Sequence, residues 1–191
     1  MFDSALRSAP LVGILARMAI DSSGESITIL SNASGRLWAD NPEQWDAMQT
    51  EAGCPWCQGP GPPSDEVIAE TDMCWVTAPV DATLPGYVCV STKRHAVEPF
   101  DLDDDARDTF FAEAMAVARG LARAVRPAKM NYEIHGNTIP HLHMHLFPRA
   151  AGDPYVGYAI TNRVWFTRTP EELTAIASAV RAELAARGRL V

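Results

Sequence analysis

Three of the five histidines in this 191-residue chain fall within five positions, in the run Pro140-His141-Leu142-His143-Met144-His145-Leu146-Phe147. Side chains of an extended strand alternate faces. Such a run therefore sends His141, His143 and His145 to one side and Leu142, Met144 and Leu146 into a core. Imidazoles on a core-anchored strand form the rigid platform that catalytic geometry needs. Neutral imidazole is nucleophilic near pH 7, and covalent attack divides one hard displacement into two easier ones. Two other readings fit the same spacing. One is a polar strand face at the surface. The other is a His-x-His hydrolase site in which two or three imidazoles bind one ion, which requires a water-activating base nearby. Glu133 is the carboxylate close in sequence.

A second group is Cys54-Pro55-Trp56-Cys57. Two cysteines at this spacing read as a redox pair or as half of a metal site. A redox pair draws its low thiol pKa from a helix N-terminus, and Pro60, Pro62 and Pro63 prevent a helix from running on. Cys74 and Cys89 read as buried strand thiols.

The elements that must hold these residues follow from periodicity and punctuation. The Pro- and Gly-rich stretch 54–63 is predicted to lack regular structure. Cys74–Thr77 and Tyr87–Ser91 read as strands, and Asp101–Val125 as a long helix with acidic residues in its first turn. Phe110, Ala114, Val117, Leu121 and Val125 give that helix one apolar face. Lys129–His135 and Ile139–Phe147 form an expected antiparallel pair turning at Gly136-Asn137. A last helix is expected from Pro170 to about Ala186, opened by Thr169, Pro170 and Glu172 as a capping signal. Ahead of residue 51, Ala5–Ala19 is expected as a helix and Glu25–Leu30 as a strand. The class is α+β.

Composition bounds the function. The chain has 47% hydrophobic and 21% charged residues and a net charge of −8, which disfavours non-specific binding to nucleic acid or an anionic membrane. No apolar run reaches membrane-spanning length, because Arg17 interrupts the closest one, Leu11–Ile20. The start lacks a basic leader region, so a cytoplasmic location is expected.

The His-x-His-x-His run followed by Leu146 and Phe147 resembles the signature of the histidine triad (HIT) family of nucleotide hydrolases and transferases. The similarity extends back through residues 131–138, through Pro85-Gly86-Tyr87-Val88 to Lys93-Arg94-His95, and forward through Pro148-Arg149 and Gly152-Asp153-Pro154-Tyr155. It covers residues 51–191 as a HIT-like domain and leaves 1–50 as an N-terminal extension of unassigned role.

The resemblance implies an antiparallel sheet of about five strands with two helices, and a homodimer. It implies that His143, facing a cleft, attacks the α-phosphorus of a nucleotide and forms a nucleotidyl-histidine intermediate. His145 then stabilises the phosphate, and Asn131, Asn137 and Thr138 make polar contacts to phosphate and leaving group. In some members a structural zinc is held by a Cys-x-x-Cys, a histidine after the Pro-Gly strand and the first triad histidine. Here those positions are Cys54, Cys57, His95 and His141, and no organic cofactor is implied. The expected reaction is hydrolysis of a dinucleoside polyphosphate or a nucleoside phosphoramidate. Nucleotidyl transfer and a nucleotide-binding adaptor with little turnover are the alternatives. The histidine at 145 favours hydrolysis, because the related uridylyltransferases carry glutamine there. His135 has no role in this pattern, and Arg149 and Arg163 are candidates for phosphate contact.

Overall fold

In the computed structural model, the residues described are 17–20, 26–29, 37–62, 65–155, 160 and 166–191. The centre is a five-stranded antiparallel sheet built from β3 (Asp65–Glu70), β4 (Cys74–Pro79), β6 (Val88–Thr92), β7 (Lys129–Glu133) and β8 (His143–Arg149). Its spatial order is β3-β4-β6-β8-β7. Two helices, α3 (Asp104–Val125) and α4 (Pro170–Ala185), pack on one face. A short pair, β5 (Asp81–Ala82) with β9 (Phe166–Thr167), closes one end.

Alternation decides which face is which. Val76, Val88, Val90, Leu142, Met144 and Leu146 join Phe110, Val117 and Leu121 of α3 and Ile176 and Val180 of α4 in one core. The intervening residues of β4, β6 and β8 therefore look away from the helices, and this second face carries the triad. Both long helices start on side-chain caps. Asp103 accepts from the Ala106 N–H at 2.8 Å. Thr169 and Glu172 form the expected capping box, which satisfies N–H groups the helix leaves open. The two helices meet closely at Gly120, where an added Cβ would lie 2.7 Å from the Val180 Cα and 2.9 Å from the Ala179 carbonyl oxygen.

Several expectations change. The helix expected over Ala5–Ala19 is corrected in its last part, because Arg17–Ile20 is strand β1, paired antiparallel with β2 (Ser26–Ile29). The run Ser-Ile-Thr-Ile, with three β-branched residues, supplies a ladder partner that outweighs local helical pattern. The remainder of that helix lies outside the described residues. Two short helices, α1 (Leu37–Asp40) and α2 (Pro42–Met48), are added to the two expected ones. Strand β3 was hidden behind the proline-rich stretch. That stretch itself contains a 3-10 turn, Pro55–Gln58, whose first position suits proline. Strand β8 starts at His143, not Ile139. Pro140 has no N–H to give a ladder, and the His141 N–H turns back to the Ile139 carbonyl at 2.8 Å. Among the described residues no helix is long and apolar enough to cross a membrane.

Candidate active site and metal centre

Leu142 is locked in the core on either side of the chain direction. Its N–H reaches the Ala96 carbonyl at 2.6 Å, and its carbonyl accepts from Thr92 at 3.1 Å. His141 and His143 therefore flank a fixed point and both leave the core face. Their destinations differ.

His141 is 1% exposed and turns toward the knuckle. Its Nδ1 lies 3.4 Å from the Cys54 Sγ and 3.5 Å from the Cys57 Sγ, and the His95 Nδ1 lies 3.3 Å from the Cys57 Sγ. The ligating atoms of Cys54, Cys57, His95 and His141 all lie within 4.8 Å of one another. Tetrahedral zinc with ordinary Zn–S and Zn–N bonds separates sulfur from nitrogen by about 3.6 Å, which matches these spacings. Orientation fits as well. The His141 Nε2 donates to the Thr92 carbonyl at 2.8 Å and the His95 Nε2 to the Gln49 carbonyl at 2.9 Å. Each ring's proton is thereby fixed on Nε2, leaving both Nδ1 lone pairs aimed into the cluster. Burial, and then the neighbouring Cys54, push the Cys57 thiol up to about 12. A cation among the four donors reverses that preference, since a coordinating thiol is deprotonated. The donor set fits a closed structural metal site. The alternative of a redox pair, already weakened by the prolines after Cys57, is not favoured, because both sulfurs face imidazoles.

His143 does not join that cluster. Its Nδ1 sits 2.5 Å from the His141 carbonyl, and a carbonyl only accepts. The ring proton is therefore on Nδ1, and Nε2 keeps its lone pair. Burial lowers its pKa to about 4, against a smaller opposing effect of that carbonyl, so the ring is neutral near pH 7. The open cleft expected around it is corrected: His143 is 6% exposed, beneath the Trp56 ring, whose centroid is 4.7 Å away. The cover comes from the knuckle and not from the core.

His145 is 4.7 Å from His143, ring to ring and edge-on. Burial, then His143, hold its pKa well below the usual value. Its Nδ1 meets the Tyr87 hydroxyl at 2.8 Å, and Tyr87 stacks on Phe147 at 4.8 Å. Burial raises the phenol's pKa well above 10, so it keeps its proton to donate. Sequence reasoning missed Tyr87 and Trp56 as neighbours of the triad. The signal available was an aromatic residue inside each motif.

Asn137 lies in the β7–β8 turn beside His135, where Gly136 adopts φ +82°, a conformation glycine adopts without strain. Thr138 follows in the same turn, half-buried. Asn131 lies on β7, the strand beside the triad strand, two residues before Glu133, which pairs with His145. It pairs in register with Phe147, and its side-chain oxygen accepts from Arg149 at 3.4 Å. Arg149 is committed to Asp153 through two 2.8 Å bonds, which lower the Asp153 carboxyl to about 2. Arg163 lies outside the described residues. His135 accompanies the triad, 5.6 Å from His145 and 2.9 Å from the Glu133 carboxylate.

A HIT domain model matches residues 63–152. A search of curated proteins returns no match. Among solved structures, the chain is similar to a histidine triad protein from Bradyrhizobium japonicum. They share 25% identity at a TM-score of 0.58, over 63% of this chain and 90% of that one. A histidine triad protein from Sinorhizobium meliloti gives 24% identity and a TM-score of 0.58, over 63% and 90%. A zinc-bound histidine triad family protein from Mycobacterium smegmatis gives 22% and 0.51, over 73% and 98%. With the triad on an antiparallel sheet and the domain match spanning it, residues 63–152 of this chain form a histidine triad (HIT) domain.

Proposed function

We propose that this protein is a nucleotide hydrolase in which the His143 Nε2 attacks the α-phosphorus of a nucleoside phosphate derivative and releases a nucleoside monophosphate. The observation that carries this reading is the 2.5 Å contact between the His143 Nδ1 and the His141 carbonyl. It fixes the tautomer with the nucleophilic lone pair on Nε2, and the charge that forms on the ring during attack is met by a carbonyl dipole.

For a phosphoramidate protonated on nitrogen, the Nε2–P bond forms as the P–N bond breaks. The electron pair stays with nitrogen, which departs as neutral amine. Water then attacks phosphorus, loses a proton to solvent and releases His143 as neutral imidazole. His145 acts beside the phosphate: with Tyr87 donating to its Nδ1, its Nε2–H points outward to a phosphate oxygen. Tyr87 is a positioning residue in this scheme. Asn137 and Thr138 supply further polar contact from the turn.

The nucleoside half has a cleft of about 350 Å³ between Trp56, Trp75, Lys93 and residues 58–60, within the size range of small-molecule sites. Ser91 pairs with both His143 and Trp75. Trp75 therefore lies two strands from the nucleophile at one register, about 10 Å away.

The Cys54, Cys57, His95 and His141 cluster would hold a structural zinc with no open position for substrate. Bound there, the ion would clamp the knuckle to the sheet. His141 would then hold its carbonyl at the nucleophile's back.

The cover of Trp56 over His143 favours a second reading, a nucleotide-binding protein with little turnover. The test is wild type against His143→Ala on nucleoside phosphoramidates and dinucleoside polyphosphates, following monophosphate release and phosphorus-labelled protein. Loss of turnover by several orders of magnitude with the fold intact is expected. Equal activity in the variant sinks the reading, and tight binding with no turnover in wild type establishes the second.

A further inference from the structure

Tyr87 reaches His145 from a turn and not from a strand. It precedes β6, and its N–H closes the turn on the Leu84 carbonyl at 3.1 Å. Side chains carried on loops are less sharply placed than those carried on strands. We propose that Arg168, 81 positions further along the chain, is the positioning residue that fixes this turn. It keeps the Tyr87 hydroxyl on the His145 Nδ1 and so keeps the ring proton on Nε2. This role rests on the hydrolase reading above, and it brings to the same site a residue beyond the 63–152 domain match.

One side chain makes the tie. The Arg168 guanidinium donates to the Tyr87 carbonyl at 2.7 Å, to the Pro85 carbonyl at 3.2 Å and to the Pro79 carbonyl. The first two bracket Gly86, where an added Cβ would lie 2.8 Å from the Pro148 Cγ. The turn is thus bound to Arg168 through two carbonyls and packed closely on Pro148 of β8. Hydrogen bonds from a charged donor are stronger than neutral ones. The planar fork of arginine serves several acceptors at fixed angles, where lysine offers a single flexible point.

Arg168 is itself fixed from both directions. Before it, Thr167 pairs with Asp81 across β5 and β9, and the Thr167 Oγ1 donates to the Asp81 carboxylate at 2.7 Å. After it, Thr169 caps α4. The Arg168 N–H donates to the Val80 carbonyl at 2.9 Å. From this frame the side chain turns inward and is 3% exposed.

A guanidinium in such a place is disfavoured by lost hydration, and burial lowers its pKa. Its Nε has no partner among the described residues. An apolar side chain of like volume would fill the space without these penalties. It would not hold three carbonyls of the segment 79–87 at set distances. The difference is felt at the triad, where the Tyr87 hydroxyl meets the His145 Nδ1 at 2.8 Å and the Tyr87 ring stacks on Phe147 at 4.8 Å. Stacked rings tolerate sideways displacement, whereas a hydrogen bond weakens steeply with misalignment. The stack therefore holds the ring's plane, and the backbone anchor sets the hydroxyl's reach.

The test is a double-mutant cycle of Arg168→Lys with Tyr87→Phe. It is read by steady-state monophosphate release and by two-bond proton–nitrogen correlation of the imidazoles, with thermal unfolding as the measure of stability. Lysine keeps the charge and loses the fork. Arg168→Lys alone is expected to lower kcat about three- to tenfold with KM near wild type, and to move the His145 proton from Nε2 toward Nδ1. In the Tyr87→Phe background the same substitution is expected to change kcat less than about twofold, because the hydroxyl it positions is already gone. A purely structural tie would cut kcat alike in both backgrounds. That result, or a His145 tautomer unmoved by Arg168→Lys, overturns the proposal. If Arg168→Lys does not fold, Gly86→Ala displaces the same turn with Arg168 in place: the same tautomer change sustains the proposal, and an unmoved tautomer overturns it. Should wild type turn nothing over, the hydrolase reading falls, and the His145 tautomer in the folded variants decides the role of Arg168 alone.

Discussion

Replacing Tyr87 by phenylalanine removes one oxygen atom and nothing else. The ring that stacks on Phe147 at 4.8 Å stays, and the hydroxyl that meets the His145 Nδ1 at 2.8 Å goes. A neutral hydrogen bond contributes about 0.5–1.5 kcal/mol net, and a buried acceptor left without its donor costs about 1–3 kcal/mol. The His145 ring is half-buried, which points to about 1–2 kcal/mol. Part of that is recovered when the ring proton moves to Nδ1, and then Nε2 no longer donates to phosphate. One tenfold step in rate is about 1.4 kcal/mol. Tyr87→Phe should therefore lower kcat about tenfold while KM stays close to wild type, because the hydroxyl touches His145 and not the substrate.

The assay is steady-state monophosphate release together with two-bond proton–nitrogen correlation of the imidazoles, which reports the tautomer. Wild type should show His145 protonated on Nε2, and the variant should lose that preference. Unchanged kcat with an unchanged tautomer in the variant refutes the reasoning. So does a wild-type His145 already protonated on Nδ1.

Two further outcomes follow from contacts elsewhere. Cys54→Ala breaks a donor set whose remaining members are Cys57, His95 and His141. Metal analysis of untagged wild type should find about one zinc per chain, with near-stoichiometric loss in the variant and a lowered Tm. A wild type free of zinc ends that idea. Gly120→Ala places a methyl group 2.7 Å from the Val180 Cα, and neither helix backbone can yield cheaply. Denaturant unfolding should show a loss of about 1–3 kcal/mol, and a variant as stable as wild type would mean the helices separate freely.

The triad's alternation was legible because it is a local property: with period two, three imidazoles separate from Leu142, Met144 and Leu146 whatever surrounds the strand. Capping was legible for the same reason at Thr169-Pro170-Glu172. The four metal-cluster residues were named through family resemblance. Their spacing alone is mute, since His141 lies 46 positions beyond His95, and only sheet pairing brings them to one point.

Tertiary structure alone decided what covers the nucleophile, which donor meets His145, and where Asn131 goes. Each depends on contacts between segments distant in the chain: Trp56 folding over β8, Tyr87 of the loop before β6 reaching across to β8, and Arg149 of β8 donating to Asn131 of β7. The residues before position 50 show this most clearly. Their composition announced no motif, and two short helices acquire meaning only where Trp38 and Trp45 are carried to the β7–β8 turn. An aromatic side chain has no function until packing gives it a neighbour, whereas a period of two is written in the backbone.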